Sequence, residues 1–155
     1  MAITTSMCSS FKQELLAMTP HTAADVYKLV LIKGGHAGTY GAATTNVGTP
    51  GTGTPSASNL GTDAVATSGS YSSVDGATLA GFAVSLDGIT AILTFTDPAA
   101  FTAATISADG AVIYNSSRSN RAVAVFSFGG TVSSTSGNFD VNLPAVAAAT
   151  GLIRI

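Results

Sequence analysis

The fold is decided by residues 108–130, which read ADGAVIYNSSRSNRAVAVFSFGG. Residues 111–114 and 122–128 are runs of Ala, Val, Ile and aromatic residues, which favour β-strands, and a polar segment separates them. Asp109-Gly110 is typical of a hairpin turn because both residues tolerate the positive φ of tight reverse turns. Gly129-Gly130 closes the second run. The stretch therefore predicts two strands bounded by turns.

The same pattern extends outward on both sides of this stretch. Asp75-Gly76 and Asp87-Gly88 repeat the turn dipeptide. Further segments of strand length are residues 79–86, 89–95, 101–107 and 139–143, the last alternating apolar and polar up to Pro144, and the chain closes on Leu152, Ile153 and Ile155. Strands at about 8–12-residue spacing with repeated turn signals are typical of an all-β antiparallel β-sandwich or jelly-roll-like domain.

Residues 1–24 predict an N-terminal arm with one short helix. Ser10 and Gln13 have the spacing of a capping box, and Thr19-Pro20 ends the element because a residue before proline avoids helical geometry. Phe11, Leu15 and Met18 recur at i, i+4 and i+7 and form one apolar stripe. The stripe either plugs the end of the core or docks onto a partner subunit.

Residues 25–155 then form a single β-sandwich domain. It opens with a β-branched-rich run to Ile32, closed by Gly34-Gly35, which predicts a largely buried strand. Residues 34–73 are a long Gly/Thr/Ser-rich loop whose large apolar residues are Tyr40, Val47, Leu60, Val65 and Tyr71. Loops of this length are usually functional or locally disordered. We expect either a flexible insertion or a segment that becomes ordered against a neighbouring subunit.

The charge content excludes several partner classes. The chain has 155 residues, a length typical of one domain, with 9% charged residues and a formal net charge of -2. Its six Lys and Arg residues are scattered and form no basic patch, so we expect no nucleic-acid partner. The most apolar stretch, residues 77–95, is interrupted by polar residues, and residues 1–10 lack a signal-peptide pattern, so we expect no membrane partner. Cys8 is the single cysteine and indicates folding without disulfides in the cytosol.

No catalytic or metal-binding constellation is evident. His21 and His36 lie in a helix exit and a glycine loop, where solvated histidines are expected, and no zinc-ligand spacing surrounds them. Asp75, Asp87 and Asp109 are explained by their turns. Arg118 and Arg121 lie in a polar loop, either solvated or forming ion pairs at an interface. We therefore predict no enzyme activity, no cofactor and no metal.

Two segments resemble a known class of proteins. Residues 108–117 and 119–130 look like a stretch that recurs in small virion structural proteins of tailed bacteriophages. Residues 11–15, 27–33, 38–42 and 153–155 are similar in kind and order. The resemblance implies a noncatalytic capsid decoration (cement) protein on the outside of the shell, folded first in the host bacterial cytoplasm. Its partners would be the major capsid protein and copies of itself, as a dimer or trimer.

The resemblance carries over no functional residue. The candidate interface residues follow from length and apolarity, or from the polar loop: Phe11, Leu15, Met18, Tyr40, Tyr71, Arg118, Arg121, Ile153 and Ile155. Two other classes remain open. One is a tail or fibre-base component that contacts the host. The other is a small ligand- or sugar-binding β-domain, or a hydrolase whose site assembles from distant residues.

Overall fold

The chain is all-β with one short helix, as the sequence predicts. A computed structural model describes residues 1–155. The strands are β1 Ser6–Met7, β2 Tyr27–Lys33, β3 Ala77–Thr78, β4 Ala83–Asp87, β5 Thr90–Thr94, β6 Phe101–Asn115, β7 Arg121–Phe139 and β8 Ile153–Arg154. The helix α1 spans Ser9–Leu16, and two 3-10 turns span Gly61–Asp63 and Ser116–Arg118.

The strands form two antiparallel sheets. The larger has the order β1-β7-β6-β2-β3 and the smaller the order β4-β5-β8. The long β6–β7 hairpin is the centre of the molecule, with Val112 opposite Val125 and, on its other side, Val30. All three are fully buried in one continuous apolar core. This strand order does not confirm jelly-roll connectivity, which stays a prediction.

The predicted turn at Asp109-Gly110 is wrong. β6 runs through both residues, and the register shifts between Ala108 and Gly110. Residues 108 and 110 pair with Val132 and Ser127 respectively, so the extra residues of β7 bulge outward there. Gly129, with φ of 80°, lies in that bulge and does not end the strand. A β-bulge uses the same permissive residues as a turn, which is why the dipeptide misleads.

The predicted turn at Asp87-Gly88 is confirmed. These residues close a tight hairpin between β4 and β5, with Asp87 opposite Thr90 and Gly88 at φ of 61°.

The predicted strand 139–143 is wrong, because β7 ends at Phe139. Its burial still alternates: Val141 is buried, whereas Asp140 and Asn142 are exposed. The alternation therefore comes from an extended segment that lies on the core without pairing to a strand, and its Leu143 amide donates to the Asp97 side chain instead.

The short helix is held by packing and not by its cap. Cys8 occupies the N-cap position and no side chain caps the helix, so the predicted capping box is wrong. Phe11 is buried and Leu15 half-buried, which confirms that these two plug the core. Burial raises the pKa of the Cys8 thiol to about 12. An isolated helix this short is marginal in water, so its stability comes from these contacts.

The long loop is ordered by its own chain. All five of its large apolar residues are buried in the core: Tyr40, Val47, Leu60, Val65 and Tyr71. The Val65 amide donates to the Leu31 carbonyl (3.0 Å), and the Leu31 amide donates to Tyr71 Oη (3.0 Å). Neither expectation for this loop, a flexible insertion or order gained from a neighbouring subunit, describes it. It folds back as a cover over β2.

Candidate interaction surface

Four of the candidate interface residues are core residues. Phe11, Tyr40, Tyr71 and Ile153 are buried within the chain, and their selection as contacts to a partner is wrong. Apolarity in a sequence does not distinguish a side chain covered by its own chain from one covered by a partner. Leu15 is half-buried, which leaves Met18 and Ile155 as the exposed apolar candidates.

Arg118 and Arg121 are committed to ion pairs inside the chain. Arg118 Nε lies 3.3 Å from Asp25 Oδ2, and Arg121 Nε lies 2.7 Å from Glu14 Oε1. Asp25 precedes β2 and Glu14 lies on α1, so each pair ties the β6–β7 turn to another element. Of the two alternatives for these arginines, solvated in a loop or paired at an interface, neither describes the structure, in which both arginines hold this end of the molecule together.

His21 is buried in a polar cluster, not solvated as the sequence predicts. Its Nε2 lies 2.9 Å from Glu14 Oε2. Asn115 Nδ2 lies 3.1 Å from His21 Nδ1 and 3.0 Å from Asp25 Oδ2. A carboxylate can only accept, so the Asn115 amide nitrogen donates to both neighbours. His21 Nδ1 is therefore an acceptor, and its Nε2–H donates to Glu14.

His36 is likewise buried. Its Nδ1 lies 3.0 Å from Asp109 Oδ2, which also accepts from the Gly35 amide at 3.1 Å. Thr131 donates to the other carboxylate oxygen at 2.5 Å. The pKa of Asp109 is lowered chiefly by the Thr131 hydrogen bond, against the opposing effect of burial, with further lowering from His36 and Gly35. Asp109 thus joins the loop to the bulge of the hairpin.

Asp63 is the most buried charge, and it organises the start of the loop. Its carboxylate accepts from the Ala37 amide (2.9 Å), the Gly38 amide (2.7 Å) and the Tyr40 hydroxyl (2.7 Å). Lys33 Nζ lies 3.6 Å away. Burial alone would raise the pKa of Asp63, but these hydrogen bonds and the Lys33 charge bring it below its ordinary value. Such an arrangement orders a loop.

The polar clusters are therefore structural. Each joins a loop or α1 to the central hairpin, and the histidines are covered. No group of three or more His, Cys, Asp or Glu side chains is placed to hold a metal ion. The candidate functional surface lies elsewhere, on exposed apolar side chains.

One exposed apolar group lies at the end of α1. Leu16 and Met18 are 87% and 88% exposed. The helix ends at Leu16, and Met18 takes a φ of 56°, the left-handed region that favours glycine. A methionine in this conformation costs backbone energy without burying its side chain. The predicted apolar stripe is wrong at Met18, because the helix ends before this residue and Met18 is exposed whereas Phe11 is buried. The sequence analysis selected Met18 as a candidate contact but did not select Leu16.

A second exposed apolar group lies on the smaller sheet. Val84 and Leu86 on β4, Ile89 in the β4–β5 turn and Ile155 at the chain end are 65%, 75%, 101% and 67% exposed. We call these four residues the hairpin patch. Beside it, between β5, β8 and α1, lies an apolar cavity of about 160 Å³. Sequence reasoning selected only Ile155. The alternation of Val84 and Leu86 with Ser85 and Asp87 indicates an apolar strand face but not whether that face is covered.

Comparisons with protein-family models, with curated proteins and with solved structures give no match to this chain. None of its helices has the length and apolarity needed to cross a membrane.

Proposed function

We propose that this chain is a noncatalytic decoration (cement) protein that binds the outside of a tailed-phage capsid and stabilises the shell. The resemblance of residues 108–130 to small phage virion proteins supports the proposal. That stretch forms most of the inner part of the β6–β7 hairpin, including its bulge and turn. The likeness therefore concerns the centre of the fold.

The observation that carries the proposal is the end of α1. Leu16 is the last residue of a helix that Phe11 anchors to the core and that the Glu14–Arg121 ion pair ties to β7, and Met18 lies two residues beyond it. The left-handed backbone of Met18 raises the free energy of the folded chain, and burial of the methionine side chain against a partner would offset this increase. Methionine side chains adapt readily to apolar partner surfaces. We assign this helix end as the contact to the major capsid protein.

The mechanism is mass action. A protein that binds the assembled shell and not its free subunits stabilises the shell by RT ln(1 + [L]/Kd), about 2.7 kcal/mol per site at a hundredfold excess over Kd. Few surface charges are compatible with this role because few ions must be desolvated when the contact closes.

Co-sedimentation with undecorated shells tests the proposal. The parent chain is expected to pellet with shells at micromolar concentration. Met18→Gly relieves the left-handed backbone and removes the contact, so the variant should be more stable to urea yet bind shells about tenfold more weakly or worse.

Val74→Gly is the matched control, because Val74 is also an exposed apolar residue. It lies near β3, whereas α1 follows β1 at the other edge of the larger sheet. It should bind shells like the parent. A parent chain that stays in the supernatant at micromolar concentration refutes the proposal. Labelling that finds the chain on tails would favour the tail component instead.

A further inference from the structure

β4 has a free edge that the rest of the chain leaves uncovered. It is the outermost strand of the smaller sheet, and all five of its residues are exposed. The free edge of β7 beyond Thr131 is built mostly of Ser, Thr, Gly and Asn, whereas β4 carries Val84 and Leu86. Unpaired, apolar strand edges are ready-made pairing surfaces that proteins usually protect with charges or a cover.

The hydrogen-bonding pattern of the hairpin defines which backbone groups are free. Asp87 and Thr90 flank a two-residue turn and so form a hydrogen-bonded pair. The alternation along an antiparallel ladder then directs Ala83, Ser85 and Asp87 toward β5. The N–H and C=O groups of Val84 and Leu86 point outward, away from the sheet.

These outward groups are self-complementary. When a second β4 approaches antiparallel about a two-fold axis at Ser85, Val84 of one copy meets Leu86 of the other in a hydrogen-bonded pair, and the converse pair forms as well. The two Ser85 residues then face each other as a non-hydrogen-bonded pair. This register uses every free backbone group of Val84 and Leu86.

Charge favours the same register. Asp87 is the sole charge on β4, and in this register it lies opposite Ala83 of the other copy. Centring the axis on Leu86 would instead bring the two Asp87 carboxylates toward each other, which is unfavourable. On the face of β4 that carries Val84 and Leu86, no side chain of the strand is charged. The same uncharged, apolar face of a second copy can therefore lie beside it without burying a charge.

The exposed area suits a reversible dimer. Burying a Val, Leu or Ile side chain stabilises by about 1.5–3 kcal/mol, and burial is worth about 25 cal/mol per Å². Each such side chain therefore has roughly 60–120 Å² of apolar area. Val84 and Leu86, the two patch residues on β4, are 65% and 75% exposed and together offer roughly 80–170 Å² of apolar side-chain area. Ile155 lies beside β5 at the far edge of the sheet and stays outside this contact. A partner in a standard interface contributes about 800 Å², so the β4 contact is smaller than standard, as expected for a weak, reversible dimer.

We propose that two copies of this chain associate through their β4 edges into a continuous six-stranded sheet, β8-β5-β4 with β4-β5-β8 of the second copy. This proposal does not depend on capsid binding and uses a different surface from the end of α1. Its dissociation constant should lie in the micromolar range.

Cysteine crosslinking tests the register. In Ser85→Cys the two introduced thiols face each other at a Cα separation of about 4.5 Å, and mild oxidation should link most of the protein into dimers. Ala83→Cys is the matched control on the same exposed strand. Its thiols would be about 13 Å apart and should not link. The buried Cys8 does not compete.

Association without a crosslink tests the surface. By sedimentation equilibrium, Leu86→Lys should raise the dissociation constant at least about tenfold, whereas Val132→Lys on β7 should leave it unchanged. The proposal is overturned if the parent chain is monomeric at about 200 µM, a concentration roughly two hundred times a dissociation constant of 1 µM. Equal crosslinking of Ala83→Cys and Ser85→Cys overturns it as well.

Shell binding separates this proposal from the proposed function. If Leu86→Lys abolishes co-sedimentation while the parent chain is monomeric, the hairpin patch binds a strand of the shell protein, and the second-copy proposal fails. If the parent dimerises but never binds shells, the capsid proposal fails and this one stands.

Discussion

Seven of the eight acidic residues accept a hydrogen bond or an ion pair from elsewhere in the chain. Asp75, Asp87 and Asp97 each have one such partner. Four carboxylates, those of Glu14, Asp25, Asp63 and Asp109, each accept from several donors. The scarcity of charge in the sequence therefore understates its structural use. Asp63 and Asp109 show how a loop rich in Gly, Thr and Ser keeps a single conformation, because each satisfies several donors of the loop at once.

We expect Asp63→Asn to lower the free energy of unfolding by about 3 kcal/mol. The amide keeps the size of the carboxylate, but it places a donor or a weaker acceptor against the Ala37 and Gly38 amides and removes the partner of Lys33. Urea unfolding measures the change. Asp140→Asn, on an exposed aspartate, is the control and should lie within about 0.5 kcal/mol of the parent. Equal midpoints for the two variants would contradict the role of Asp63.

The same carboxylates predict the acid limb of stability. In the folded chain the pKa values of Asp25, Asp63 and Asp109 lie below the ordinary value, so the unfolded chain takes up protons first as the pH falls. Stability should therefore be constant above about pH 5 and fall progressively below about pH 4. Urea midpoints across that range check it. Asp109→Asn should show a shallower fall, and an unchanged slope would exclude Asp109 as a contributor.

Among the elements, the β6–β7 hairpin determines most of the architecture, and its bulge determines how the loop attaches. The bulge turns Asp109 toward His36 and the Gly35 amide, and it lets Thr131 reach the same carboxylate. At Gly110 the backbone of β6 lies too close to its neighbours for a side chain. A Cβ there would lie 2.5 Å from the Phe126 carbonyl oxygen on β7 and 3.1 Å from Ile3 Cδ1. The residue is glycine because of this close approach and not because of a turn.

We expect Gly110→Ala to destabilise the chain by about 1–3 kcal/mol, because the added methyl group must displace strand backbone. Gly130→Ala is the matched control. It lies on the neighbouring strand with φ outside the left-handed region and nothing within 4 Å of an added Cβ. It should be neutral or stabilise by up to about 1 kcal/mol. Thermal unfolding of both variants measures the difference, and a Gly110→Ala variant as stable as the parent would show that the strands can separate there at little cost.

At the scale of the whole molecule, the loop of residues 34–73 is part of the core. Its apolar anchors pack against β2 and β6, and its backbone bonds to Leu31, Asn120 and Thr102. The segment between Pro144 and Thr150 is the contrast, since it forms turns with half-buried or exposed residues. Local opening is easiest where few buried contacts and long-range backbone bonds must break.

Limited proteolysis of the free chain should therefore spare residues 36–73 and cut first within residues 144–150. A broad-specificity protease at low ratio, with the fragments identified by mass spectrometry, measures the order of cuts. Urea near the unfolding midpoint is the control, and there both segments should be cut together. Early cutting between residues 44 and 60 in native buffer would show that the loop is not anchored as described.

The sequence by itself determined the β class, the short helix, the buried strand β2 and the tight turn at Asp87-Gly88, because these follow from local periodicity and backbone preference. It also identified the loop anchors by their size among small residues. Only the tertiary structure decided that Asp109-Gly110 is a bulge, that His21 and His36 are buried, and that Phe11, Tyr40, Tyr71 and Ile153 face the core of the chain. Each of these depends on which distant segment lies opposite, and local sequence does not encode that. The same holds for Val84 and Leu86, whose alternation was visible but whose exposure arises because no other strand covers β4.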